Sequence, residues 1–363
     1  KAAAEPAAPS RARRRRRRSN TRGRRKRAPV KAKAAPAPVP KNRRLAPGRW
    51  RPEVVDALEL LLEREGQGTP LYAPANPPVA VVAFDDVAAT HHVGEAVFQS
   101  LVDRAQFKFS DEFWELVPVQ YGRARIRAGY EGFRDQPRSV WDQDPYYRMY
   151  RKGFHGCYRS ICREVGMKAC SQWIATLLAG FEEVEVRRYV RAVIQEELRR
   201  PVGGEDVKDA VDDPRPIRLR TGLRRIPEME DLFRKLKEKG FDVWVMSTAN
   251  HWAIEAIARL YGIHPTRIVG IRSKVIDGLV TKEVLQPIPW GTGKAEAITM
   301  FIGRSPSLAV GGGDDEPLLS YGEGLRVAVV DPDSDRSQWE RRAWLIQPRF
   351  SPVRTPQQTV EPE

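Results

Sequence analysis

The run "VAVVAF", residues 79–84, stands between Pro77-Pro78 and Asp85-Asp86. Small and β-branched apolar residues without polar alternation suit a strand covered on both faces, and the paired prolines bar a helix from entering it. The same kind of element recurs downstream in alternation with helices. "PEMEDLFRKLKEKG" reads as a helix stopped by Gly240, "FDVWVMS" as a strand and "HWAIEAIARLYG" as a helix. "RIVGI" is a strand, and "KVIDGLVT" a hairpin with Asp277-Gly278 at its tip. "GKAEAITMFIG" is helical, and the strands "SLAV" and "RVAVV" follow. Such an order demands an α/β fold, a Rossmann-like, mostly parallel sheet flanked by helices on both faces. Only the segment after the first strand breaks the rhythm. Residues 94–218 read as mainly helical and are best placed as an inserted cap.

Charge divides the chain further. The net charge is +15, yet the first 44 residues hold 18 Lys and Arg against Glu5 alone, so the remainder is slightly acidic. "RARRRRRRSNTRGRRKR" and the Ala/Pro-rich stretch after it have almost no large apolar residue to offset the entropy of ordering, which predicts a disordered basic tail. Residues 11–27 would attract nucleic acid or an anionic surface in a salt-sensitive way, although no aromatic is interleaved there to stack on bases. The division expected is 1–46 as tail, 47–93 as N-terminal helix and first strand, 94–218 as cap, 219–345 as the rest of the core and 346–363 as C-terminal tail.

No apolar run approaches the ~18 residues of a membrane span, and the reading is a soluble protein, cytoplasmic rather than exported. The chain opens on Lys1 rather than Met, which is compatible with a removed leader or a fragment. Cys157, Cys162 and Cys170 lack metal-ligand spacing and read as buried thiols.

"GEAVF", "VWVMSTANHW", "GKAEAI" and "DDEPLL" occur in an order that resembles the haloacid dehalogenase superfamily of phosphohydrolases, closest to its phosphoserine phosphatase-like and bacterial phosphorylcholine phosphatase-like groups. The resemblance implies a first strand ending in Asp-x-Asp-x-Thr, where the first Asp attacks phosphorus and the second serves as acid and base. Aligned on both flanks without a gap, Ala83 falls at the nucleophile, Asp85 at the acid/base and Val87 at the Thr. A shifted register makes Asp85 the nucleophile, with Val87 and Ala89 following; another uses Asp86, with Ala88 and Thr90. The gap-free register is preferred because it alone preserves both flanking distances. Every register leaves a single carboxylate where the family has two.

The resemblance also implies Mg²⁺ held by a Gly-Asp and a second Asp after the last motif strand. In "LAVGGGDDEPLL" the first of these falls on Val310 or Gly312, and neither is acidic. Asp315, or more weakly Asp314, remains as the second, with Asp85 as a further metal ligand. Magnesium is therefore expected to be weak or absent. Ser247 and Lys294 match the family's phosphate-binding hydroxyl and cation. Together these imply a phosphatase-like protein with impaired or no catalysis that retains a pocket for a small phosphorylated molecule. An active Mg²⁺-dependent phosphatase using Asp85 is the alternative.

His91-His92 lacks a third ligand and reads as loop rather than metal site. Trp114, Tyr121, Trp141, Tyr146, Tyr147, Tyr150 and Trp173 could form a cage for a quaternary ammonium, but ordinary cap packing accounts for them better.

Overall fold

The computed structural model describes residues 45, 46 and 48–357; the expected basic tail, including residues 11–27, lies outside them. Seven strands form one sheet in the order β6-β5-β4-β1-β7-β8-β9. They are β1 (Val79–Ala83), β4 (Asp242–Asn250), β5 (Ile268–Ile276), β6 (Leu279–Leu285), β7 (Leu308–Gly311), β8 (Leu325–Val330) and β9 (Leu345–Pro348). All neighbours are parallel except β5 and β6, which are antiparallel. Every residue of β1 is buried, as its unbroken apolar run requires.

β1 is the centre of the sheet. Val82 pairs with Val245 of β4 on one side and with Val310 of β7 on the other. From β1 the chain builds outward through β4 and β5, then returns across β1 to lay down β7, β8 and β9. Connections leave β1 and β7 in opposite directions, which opens a crevice beyond their carboxyl ends, the usual place for a ligand in an open α/β sheet. Helix Pro227–Glu238 shows how the sequence sets these connections. Pro227 occupies its first turn with Glu228 and Glu230, while Lys235 and Lys237 sit in its last, each sign matching the helix dipole.

Between β1 and β4 the chain inserts helices Asp111–Glu115, Arg123–Phe133, Pro145–Glu164, Met167–Thr176 and Glu183–Arg199. A two-stranded hairpin then follows, β2 (Gly203–Val207) with β3 (Ile217–Thr221). That hairpin escaped the sequence reading, and the division drawn at 218/219 falls inside β3. The one drawn at 345/346 falls inside β9, a sheet strand where a tail was expected. Its residues Leu345 and Ile346 align with Val327 and Ala328 of β8. "RIVGI" and "KVI" are parts of one continuous strand, β5, and the turn at Asp277-Gly278 has positive φ at both residues, as a tight hairpin requires.

The inserted aromatics pack on one another. Phe109 and Tyr130 stack with ring centroids 3.8 Å apart, Phe133 meets Tyr150 edge-on at 5.1 Å, and Trp141 meets Phe133 at 4.7 Å. Trp173 donates its indole N–H to Leu116 O at 2.8 Å. These rings form the interior of the insertion rather than a cage.

The cysteines correct the expectation of three thiols. Cys162 and Cys170 form a disulfide that ties the end of helix Pro145–Glu164 to helix Met167–Thr176. Cys157 is free and buried, and burial pushes its thiol up to about 12. Among the described residues no helix is long and apolar enough to cross a membrane.

Candidate functional site

The site is assembled from the turn after β1. Phe84 O accepts the N–H groups of Val87, Ala88 and Ala89 at 3.2, 2.8 and 3.2 Å, a single tight turn that carries Asp85 and Asp86 out of the strand. Asp86 takes a left-handed backbone, φ 55°, a strained conformation for a residue with a side chain. Ala83 is the last residue of β1, aligned with Met246, and is buried.

Asp85 is fully engaged by its surroundings. Its Oδ2 accepts the Ser247 hydroxyl at 2.5 Å, and its Oδ1 accepts the Val93 N–H at 2.9 Å. Ser247 lies in β4, one parallel neighbour away, and its Oγ also accepts the Ala249 N–H at 2.9 Å. The only proton of this hydroxyl is thereby committed to Asp85.

Lys294, in helix Thr292–Ala297, forms an ion pair with Asp315 Oδ1, and the two residues are only 7% and 5% exposed. The other oxygen, Asp315 Oδ2, accepts the Gly312 N–H at 2.7 Å. A buried pair of this kind holds only while both partners stay and further donors satisfy the remaining lone pairs.

The structure separates the two candidates for the absent carboxylate on β7. Val310 is a sheet residue aligned with both Val82 and Val327 and fully buried. Gly312 lines the cavity, and a Cβ placed there would meet Val87 and Asp315 only at 3.6 and 3.7 Å, ordinary contact distances. At Gly311 the same atom would come within 2.5 Å of the Asp315 Cβ. A side chain can therefore start at Gly312 or Gly313 but not at Gly311, and Gly312 rather than Val310 is the candidate that faces the cavity.

Asp85, Asp86, Val87, His92, Lys294, Gly312, Asp314, Asp315 and Arg349 share one cavity of about 90 Å³. This is small beside the roughly 300–1,000 Å³ of ordinary small-molecule pockets. Of the residues singled out in the sequence, Ala83 and Val310 stay in the sheet, and Ser247 reaches the cavity through Asp85. Asp314 is exposed at the rim.

Asp86 is the hub of a charged cluster. Its carboxylate stands 3.1 Å from Arg220, 3.5 Å from Arg349 and 3.5 Å from His92, and accepts the His91 N–H at 2.9 Å. Burial alone would raise this carboxyl, but Arg220, His92 and Arg349 outweigh it and hold it below the usual range. His92 is thus a partner of Asp86. Arg220 and Arg349 were missed in the sequence because neither belongs to a motif. The one signal for Arg349 was its place at the carboxyl end of a further strand, β9.

Four carboxylates line the cavity with Lys294 and Arg349, so its charge is mixed. The residues do not fit a divalent ion. Among the described residues no group of three His, Cys, Asp or Glu side chains is placed to hold a metal. Both oxygens of Asp85 and of Asp315 already accept hydrogen bonds from the chain itself. Asp85 is a poor metal ligand for that reason, contrary to expectation.

Residues 140–311 match the family of haloacid dehalogenase-like hydrolases. Phosphorylcholine phosphatase of Pseudomonas aeruginosa is 25% identical over 185 residues, 43% of this chain and 51% of that protein. The chain thus spans about half the length of this curated relative. A solved structure of a conserved protein of unknown function from Anaerococcus prevotii DSM 20548 superposes with a TM-score of 0.70 at 21% identity, over 81% of this chain and 90% of that one. It shares the fold.

Proposed function

We propose that this chain, which belongs to the haloacid dehalogenase-like hydrolase superfamily, has lost phosphoryl transfer and keeps the cavity at its strand tips as a binding site for a small phosphorylated molecule. One observation carries the reading. The residue after β7 that faces the cavity is Gly312, which supplies no carboxylate, and Asp85, which does reach the cavity, has both oxygens held by Ser247 and the Val93 N–H. Attack on phosphorus needs an oxygen nucleophile aligned opposite the leaving ester oxygen, and a second group must protonate that oxygen as the bond breaks. Asp85 could serve one of these roles, but its neighbours Asp86 and Asp315 are held by Arg220 with Arg349 and by Lys294, which leaves neither for the other.

Binding rests on what remains. Ser247 offers a hydroxyl, Lys294 a buried ammonium and Arg349 a guanidinium, the donor types that suit phosphoryl oxygens. All three are held by internal carboxylates, so a phosphate competes with Asp85 and Asp315 for them, and no metal is required as a bridge.

The test is hydrolysis of p-nitrophenyl phosphate with Mg²⁺, beside calorimetry of inorganic phosphate with and without a chelator. Wild type should show no turnover and chelator-independent binding, while Val87→Asp combined with Gly312→Asp, both lining the cavity beside Asp85, should gain turnover. Robust hydrolysis by wild type would favour Asp85 as the nucleophile and overturn the proposal. Strict Mg²⁺ dependence of binding would remove its metal-free part.

The arginine run at residues 11–27 supports a second role, attraction of the chain to nucleic acid or another polyanion. Deleting residues 1–44 should abolish salt-sensitive retention on DNA, and unchanged retention would eliminate that role.

A further inference from the structure

Beside the cavity at the strand tips lies a second one of about 170 Å³, whose lining includes Asp86, His91, Arg220, Arg349 and Phe350. Asp86 and Arg349 border both. Three segments distant in sequence meet here: the turn after β1, strand β3 of the inserted hairpin and the residue that follows β9.

An arginine carries five N–H donors in a rigid planar fork. Among the described residues the Arg220 guanidinium engages Asp86 alone, through one terminal nitrogen at 3.1 and 3.4 Å from the two carboxylate oxygens. Its other nitrogens are uncommitted. Arg349 sets one terminal nitrogen 3.5 Å from Asp86, and its buried Nε, though 3.1 Å from Asp331, makes no hydrogen bond there. His91 Nδ1, in the same lining, is also buried without a hydrogen-bond partner. Buried polar atoms are nearly always satisfied, so two orphans around one cavity point to a missing polar occupant.

We propose that Arg220 and Arg349 form a second anion subsite, so that the preferred ligand is a phosphomonoester carrying a further anionic group. Asp86 serves as a positioning residue. Fixed by its strained backbone and by the His91 N–H, it holds one edge of each guanidinium, while Arg349 turns its Nε toward Asp331 and Arg220 keeps its other nitrogens free. The same cluster disfavours a quaternary ammonium, because Arg220 and Arg349 present like charge beside the cavity. Trp114, Tyr147, Tyr150 and Trp173 are buried in the insertion, and the neighbouring cavity is lined by a single such ring, Trp290, too few for a cage. This inference rests on the phosphate-binding reading of the neighbouring cavity.

Titration calorimetry of the full chain with inorganic phosphate, phosphoglycolate, pyrophosphate and phosphorylcholine separates the possibilities. Charge-assisted hydrogen bonds of ordinary strength predict that a probe with a second anion binds about tenfold or more tightly than phosphorylcholine. A preference for phosphoglycolate identifies a carboxylate as the second group, and one for pyrophosphate a phosphate. Arg220→Gln should bring that ratio toward one, and Arg220→Lys, which keeps the charge, should restore part of it. If inorganic phosphate binds but phosphorylcholine equals or exceeds both doubly anionic probes, the subsite is overturned and the phosphate cavity stands. If inorganic phosphate does not bind at all, both proposals fall.

Discussion

The two halves of the crevice differ in what they retain. On one side, β4 and the helix that follows the β5–β6 hairpin carry Ser247 and Lys294, the donors to which the proposed binding is assigned. On the other, the turn after β1 and the residue after β7 set Val87 and Gly312, without carboxylates, in the cavity beside Asp85. The proposal thus assigns binding and the lost chemistry to different elements of the fold. The retained donors are also structural, because Ser247 anchors Asp85 and Lys294 neutralises Asp315. On the proposed reading, a group that serves the fold as well as the ligand persists, whereas an attacking carboxylate has no such second duty.

Restoring the empty half is the sharpest way to break this contrast. Loss of a catalytic group can lower turnover by about 10⁴–10⁶, so Val87→Asp with Gly312→Asp should recover activity by several orders of magnitude. No gain in a folded double variant would mean that the contrast lies elsewhere than in these two side chains.

Removing the occupied half tests its structural duty. Lys294→Met leaves Asp315 buried without its counter-charge, which should lower stability by about 3–5 kcal/mol. Urea denaturation measures it, and a loss below about 1 kcal/mol, the range of a surface pair, would mean the ion pair is not a structural element.

A smaller effect is expected from the disulfide, whose closed loop carries Met167 to the wall of the cavity. Cys162→Ser should destabilise the chain by about 2–3 kcal/mol, as for a short closed loop. A matching loss on adding reductant to the wild type, absent from the variant, assigns the effect to the bond itself.

The smallest expected effect is the acid response of Asp86. Because its folded carboxyl lies below the ordinary range, it binds fewer protons than in the unfolded chain. Its contribution is therefore complete above about pH 4, the ordinary carboxylate value, and is lost as pH falls toward the depressed folded value. Asp86→Asn should flatten the stability profile below about pH 4, read as the urea midpoint. An unchanged slope would show that Arg220 and Arg349 do not hold this charge.

Much of this site was legible in advance because its motifs lie at strand ends, where the strand sets the spacing. Ser247, Lys294, Asp85 and Asp315 all converge on the crevice. What escaped was whatever depended on a distant partner. Arg220 meets Asp86 across 134 residues of chain, and no local pattern marks an exposed arginine on a hairpin strand. The β9 strand was missed for a related reason. "LIQP" is short and ends in Pro, and only the edge of β8 makes it a strand.

The linear order of residues determined the α/β architecture and the non-acidic identity of Ala83, Val87, Val310 and Gly312. Burial periodicity is local, and folding cannot supply a carboxylate that the chain does not encode. Tertiary structure alone decided that Gly312 rather than Val310 faces the cavity, that each retained donor is paired with a carboxylate, and that two arginines converge on Asp86. Those outcomes depend on which strand ends the closed sheet places side by side, a property of long-range pairing that no single segment contains.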